Sequence, residues 1–250
     1  MKESLIAGLI IEFFKSFWNF IPKAINNYRF RRFFGKKAID SEKVFLVLDP
    51  YEHPTPRTQN PGNRFIKKFH GRKPDTPLVG EDKVLGSCSI RVIKYGASEF
   101  GLFREKVNPV KSVIDEDVKD NWEGTFICFG SSDSNLKTYD IENLNENNLY
   151  KFGIHSSGIR SFTVMGDEYT INQEGDVGII LRMKNPYDTE HKLFVCAGIG
   201  EWGTSGAAYY LFKNWKKFYK EYKEHENFVC LVRVKVNSDE SARLIKKYKV

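Results

Sequence analysis

The sequence predicts an α/β domain, a mostly parallel sheet with covering helices, preceded by an amphipathic, hydrophobic N-terminal helix. Three observations carry that expectation. Short runs that are apolar at nearly every position and rich in β-branched and aromatic residues recur between 44 and 236, as in strands buried on both faces. A helix-period stripe of apolar residues lies between the last two of these runs. The 250 residues are 41% hydrophobic, which is enough to build a core and excludes a chain disordered throughout.

The first element spans 1–36. Within 4–25 (SLIAGLIIEFFKSFWNFIPKAI) the uncharged apolar run 5–11 is well short of the ~20 residues that span a bilayer. Glu12, Lys15 and Lys23 interrupt the remainder of that segment, and no small-residue cleavage site suits a signal peptide. The stretch 26–37 (NNYRFRRFFGKK) alternates aromatics with arginines, which suits a membrane–water boundary on an anionic leaflet. Within 1–40, eight Lys/Arg face three acids, so most of the formal charge of +7 sits there and the body is nearly neutral. A neutral body argues against a nucleic-acid surface. The expectation is a basic-aromatic helix over 1–36 that anchors the chain to a membrane surface through 4–37. A cytoplasmic domain, at the inner face of the membrane, then occupies 42–250. The alternative is a helix packed on the domain or on another subunit.

From Val44 the pattern changes to strands. VFLVLD (44–49) and TFICFG (125–130) read as buried strands. Residues 49–73, rich in Pro, Asn and Gly, read as an irregular loop, and 81–95 has a helical period with Gly86 as a flaw. Segments 150–154 and 160–164 read as a hairpin joined through HSSG, and 177–183, 192–198 and 228–236 as three further strands. The clearest helix is 204–222. Ala208, Leu211, Phe212, Trp215, Phe218, Tyr219 and Tyr222 form its apolar stripe, with Lys213, Lys216, Lys217, Lys220 and Glu221 on the solvated face. The order strand, glycine loop, helix, strand over 192–236 is the unit that joins parallel strands.

The chemistry concentrates in two loops. In CAGIGEWGTSGAA, Gly198, Gly200 and Gly203 satisfy G-x-G-x-x-G directly after a strand and at the opening of a helix. Glycines let a backbone approach a ligand, and the first helical amides favour an anion. Thr204 and Ser205 add hydroxyls, and Trp202 an aromatic face. The loop GSSDSN supplies Gly130, Ser131, Ser132 and Asn135, and the segment DVG supplies Asp176. Loops at the C-terminal ends of neighbouring parallel strands meet over one crevice. These residues are therefore the expected ligand-binding set, and a bulky residue at Gly203 is expected to abolish binding while keeping the fold. The alternative is that the glycines serve only strand–helix packing. No Walker lysine is present, and Glu201 within the loop is unfavourable for phosphate.

The four cysteines are isolated, and Cys88 in GSCS reads as a helix or core thiol. The histidines show no paired spacing, so no metal site is expected. Asp239 and Glu240 in NSDESA read as a surface turn.

The string FVCAGIGEWGTSGAAYYL (194–211), with FGSSDSN (129–135), DVG (176–178) and the basic RFFG at 32–35, resembles a family of uncharacterised prokaryotic proteins. Those carry a Rossmann-like domain behind a variable hydrophobic N-terminus. The resemblance covers roughly 30–240, implies the same fold and brings no activity. In its strand–Gly–Glu–helix layout the chain is also distantly similar to nucleoside deoxyribosyltransferases and TIR domains. These use a glutamate against an N-glycosidic bond, and the resemblance implies Glu201 as the catalytic residue. The expected function is thus a membrane-associated cytoplasmic domain that binds a nucleotide or related anionic small molecule, in signalling or antiviral defence. No cofactor is assigned beyond NAD or another nucleotide as the ligand. An NAD- or nucleoside-cleaving hydrolase using Glu201, and a structural or interaction protein, are the alternatives. A homo-oligomer is compatible with each.

Overall fold

The computed structural model describes residues 24–35, 43–52, 66–67, 83–101, 110–144, 149–154, 156 and 160–249. Helix α1 (24–34) opens them. Strands β1 (Val44–Leu48), β2 (Pro50–Glu52), β3 (Ile66–Lys67) and β4 (Lys83–Leu85) follow, then α2 (Ser87–Gly101), β5 (Lys111–Ile114) and a 3-10 turn (Asp115–Val118). Next come β6 (Thr125–Phe129), α3 (Leu136–Glu142), β7 (Tyr150–Ile154), β8 (Arg160–Val164) and β9 (Asp167–Thr170). The chain closes with β10 (Asp176–Lys184), β11 (Lys192–Gly198), α4 (Glu201–Glu221), β12 (Phe228–Lys235) and β13 (Ser238–Lys249).

The apolar runs assemble into one seven-stranded sheet in the order β13-β12-β10-β11-β6-β1-β5. β5, β1, β6 and β11 are mutually parallel, whereas β10, β12 and β13 join by antiparallel ladders. The protein is therefore a mixed α/β fold rather than one built on a mostly parallel sheet. The reason is local: the short 185–191 turn lets β10 fold straight back onto β11, which requires antiparallel pairing. The strands that α4 connects, β11 and β12, do run in the same direction, but β10 lies between them.

Alternate residues of each central strand enter opposite cores. On β6, Ile127 and Phe129 join a cluster with Phe30, Phe33, Phe34, Val92, Leu211 and Trp215, from α1, α2 and α4. Phe126 and Cys128 point the other way, to Ile141 of α3 and to Tyr150, Phe162 and Val164 of the small antiparallel sheet β7-β8-β9. Burial on both faces accounts for the uninterrupted apolar reading of β1, β6 and β11.

The described part of the basic-aromatic stretch, 24–35, follows the alternative expected for it, a helix packed on the domain. Phe30, Phe33 and Phe34 recur at i, i+3, i+4, are fully buried, and stack with Phe100, Phe194, Phe212, Trp215 and Phe228. The intervening Arg32 stays outside, bonded to Glu224 and Tyr28. Gly35 (φ +121°) ends the helix and bridges His191. The domain thus begins before residue 42, because its core needs these rings. The apolar segment 4–23 lies outside the described residues.

Other boundaries shift modestly. The helical period expected over 81–95 resolves into β4 and then α2, with Gly86 at the join, and most of 49–73 lies outside the described residues. Edge strands β5 and β13 escaped the pattern because exposed faces interrupt their apolar residues. Asp239 is not at a surface turn. It is buried on β13, where Ser205 (2.5 Å) and Tyr95 (2.8 Å) donate to it and Arg91 pairs with it at 2.9 Å.

Candidate functional site

Three adjacent parallel strands, β11, β6 and β1, end at one rim of the sheet, and a cleft of about 490 Å3 opens there. Each strand delivers a turn to it. After β1 comes Asp49, after β6 come Gly130, Ser131 and Ser134, and after β11 come Gly198, Ile199, Gly200, Glu201 and Thr204. The far wall is the start of α2, Gly86 to Ser89, and Arg160 of β8 stands at one side.

Gly130 adopts φ +111°, and a side-chain carbon there would lie 3.1 Å from Asp49 Oδ2. Its absence lets the Asp49 carboxylate sit against the serine turn. That turn is closed by the amides of Ser134 and Asn135, both donating to Ser131 O at 2.9 Å. Asn135 then serves structure. Its amide donates to Val47 O (3.3 Å) and Phe129 O (3.0 Å), tying β1 to β6, while its Oδ1 caps the amide of Thr138.

The glycine loop is filled by the protein itself. Asp176, at the start of β10, accepts the amides of Gly203 (2.6 Å), Val177 (2.7 Å) and Gly200 (3.1 Å). Thr204 Oγ1 accepts the amide of Gly198 at 2.9 Å. A carbon added at Gly203 would stand 2.5 Å from Val177 O, and one at Gly178 would stand 2.2 Å from Gly203 O. The missing side chains therefore admit strand β10 and its carboxylate, and the amides of Gly198, Gly200 and Gly203 are engaged internally. Burial pushes the Asp176 pKa above its ordinary value, against the opposing pull of the three amides.

The expected ligand-binding residues accordingly divide. Gly198, Gly200, Thr204, Gly130 and Ser131 line the cleft together with Glu201. Ser132 faces an adjoining groove. Asp176, Gly203 and Asn135 are buried behind the surface. Trp202 turns away, with the Arg91 guanidinium 4.0 Å over its ring, and Ser205 is fully buried against Asp239. Tight packing decides these cases: the first turns of α4 meet β10, β13 and α2, and Asn135 is drawn between β1 and β6.

Sequence reasoning missed Asp49, Ser87, Ser89 and Arg160. Asp49 had a legible signal, a carboxylate ending an otherwise apolar strand. The serines had none, because they enter only through the packing of α2 on α4. Ser87 Oγ donates to Glu201 Oε2 at 3.2 Å, and Ser89 Oγ lies 3.5 Å from Asp49 Oδ1. Cys88 donates to Glu201 O. Burial, reinforced by Asp49, pushes its thiol up to about 12, so it is protonated at neutral pH and is not an activated nucleophile.

The cleft thus offers two carboxylates and five hydroxyls, with Arg160 as the cation at its edge. No family model, curated protein or solved structure matches the chain. The class is therefore set by architecture alone: a mixed α/β domain with a polar cleft at the C-terminal ends of three adjacent parallel strands. No particular member of that class is singled out beyond this geometry.

Proposed function

We propose that this Rossmann-like domain binds a nucleotide or related ribose-containing small molecule in the cleft between Asp49, Ser131 and Glu201. The observation that carries the reading is topological. β1 and β6 are neighbours, yet the segment after β1 leads to α2 on one face and the segment after β6 to α3 on the other. Ligands of open α/β sheets sit in the crevice where connections diverge in this way. Carboxylates and serines suit sugar hydroxyls, which both donate and accept, and Arg160 suits the anionic end of the molecule. Attachment to a membrane surface is part of the proposal and rests on residues 4–23 and the basic excess of 1–40. Among the described residues no helix is long and apolar enough to cross a membrane. A role in signalling or defence is an analogy of architecture.

Thermal melting of the full chain with NAD, ATP, adenosine and cyclic nucleotides tests the reading. Binding raises Tm with ligand concentration. A flat response across the panel leaves a structural or interaction protein.

A second reading, N-glycoside cleavage, is favoured by one observation: Glu201 and Asp49 line the same cleft. A carboxylate beside the sugar stabilises the oxocarbenium-like transition state of such a cleavage. Glu201→Gln should then abolish release of base or nicotinamide. Wild-type chain at high concentration releasing neither removes this reading.

A further inference from the structure

The cleft does not end at Ser131. A second groove of about 530 Å3 continues from it between α3 and the β7–β8 hairpin, and the two share Ser131, Arg160 and Ile199. They are adjoining compartments of one trough. Each falls within the ~300–1,000 Å3 that houses a drug-sized molecule or one large fragment of a longer ligand.

Their chemistry differs. The first compartment is lined by Asp49, Glu201 and hydroxyls, a surface for sugar hydroxyls that repels phosphate. The second has carboxylates of its own, Asp133 and Glu142, but adds what the first lacks, the rings of Tyr139 and Phe152 beside Asn143 and Lys151, a surface for a flat heteroaromatic ring whose amino group a carboxylate can accept. Tyr139 lines the groove and is 42% exposed. Arg160 stands at the junction. Its guanidinium pairs with Asp133 at 2.9 Å, both side chains partly in solvent. A pair so exposed contributes little to folding, so Arg160 is free to turn to a ligand anion while Asp133 keeps the hydrogen bond from Ser131. Bidentate bonding to phosphate oxygens is what a guanidinium does best.

We propose that the trough takes a dinucleotide, two nucleoside units joined by a pyrophosphate. The sugar of one unit lies between Asp49 and Glu201, the pyrophosphate lies at Arg160, and the base of the other unit lies against Tyr139 and Phe152. This rests on the nucleotide reading above and names the ligand class. A mononucleotide leaves one compartment open. An uncharged two-ring molecule leaves Arg160 paired with Asp133. A dinucleotide satisfies both compartments and the junction.

The test is calorimetric titration of the full chain with NAD and with its two halves, nicotinamide mononucleotide and AMP, while any released nicotinamide is followed separately. NAD should bind about tenfold or more tighter than either half, because joined units bind with a high effective concentration. Arg160→Gln should cost NAD about tenfold, the value of a charge-assisted contact. Tyr139→Ala should weaken NAD and AMP and leave nicotinamide mononucleotide within about twofold. If NAD binds no tighter than its better half, the dinucleotide proposal is overturned while nucleotide binding stands; this wild-type comparison needs no variant to fold. If folded Arg160→Gln leaves the NAD affinity unchanged, the proposal is overturned as well. If none of the three binds, the nucleotide reading falls with it.

Discussion

The carboxylate of Asp176 accepts the amide of Gly203 at 2.6 Å, so the start of α4 already holds an anion, supplied by β10 of the same chain. A G-x-G-x-x-G turn ordinarily exposes such amides to a ligand phosphate. Here the intramolecular carboxylate moves the open chemistry one layer outward, to the cleft walled by Asp49, Glu201 and the first turn of α2.

Asp176→Ala should strand the amides of Val177, Gly200 and Gly203. A loss of about 2–4 kcal/mol is expected in urea denaturation, the cost of buried donors left without an acceptor. Millimolar phosphate should restore part of that stability in the variant and none in the wild type, by filling the vacated amides. Phosphate acting equally on both would show that the amides are not the site of rescue.

Gly203→Ala should damage the fold itself. A carbon there meets Val177 O at 2.5 Å and Gly198 Cα at 2.9 Å, backbone atoms that cannot rotate aside. Destabilisation of about 3 kcal/mol or more is expected, larger still for Val. This corrects the expectation that a bulky residue here would spare the fold. Circular dichroism melts of the variant decide the matter, and an unchanged Tm would refute the packing role.

Lys137 is fully buried. Its ammonium donates to Asn121 O (2.7 Å) and Lys119 O (3.0 Å) and lies 3.4 Å from the centre of the Trp122 ring. Burial lowers its pKa from 10.5 to about 8. Between those values the unfolded chain holds the proton that the folded chain has lost, so the contribution of Lys137 to stability grows as pH rises across the window and is least below pH 8. Relative to Lys137→Met, the wild type should gain on the order of 3 kcal/mol from pH 8 to pH 10.5. Parallel stability curves for the two proteins would contradict the shift.

Phe33→Ala should cost about 3–5 kcal/mol, since the ring is fully buried against Trp215, Phe194, Phe218 and Phe228. Deletion of 1–34 should yield an unstable, aggregating chain, whereas deletion of 1–23 should leave a folded one. Membrane pelleting is therefore to be compared between the full chain and the shorter deletion. Equal solubility and melting of both deletions would show that α1 is dispensable to the core.

By itself the sequence determined the strands and helices whose signal is local. VFLVL, TFICF and KLFVCAG appear at 44–48, 125–129 and 192–198 because burial on both faces demands apolar residues at every position. α4 appears because its stripe repeats at the helical period, with its lysines left in solvent. The two polar loops, Gly130–Ser131 and Gly198–Gly200, were legible as turns after such strands. Their meeting followed from the adjacency of β6 and β11, which pairing, not periodicity, decides.

Only the tertiary structure decided what those residues face. Phe30, Phe33 and Phe34 have the composition of a membrane boundary and the location of a core, because amphipathicity does not say which apolar phase the ring enters. Asp176 looks like a ligand residue and Asp239 like a turn residue, yet both are buried acceptors, and Trp202 looks like a ligand platform and lies under Arg91. Each depends on a partner at least 27 positions away along the chain. A carboxylate or an aromatic face has many favourable partners, and long-range packing selects among them.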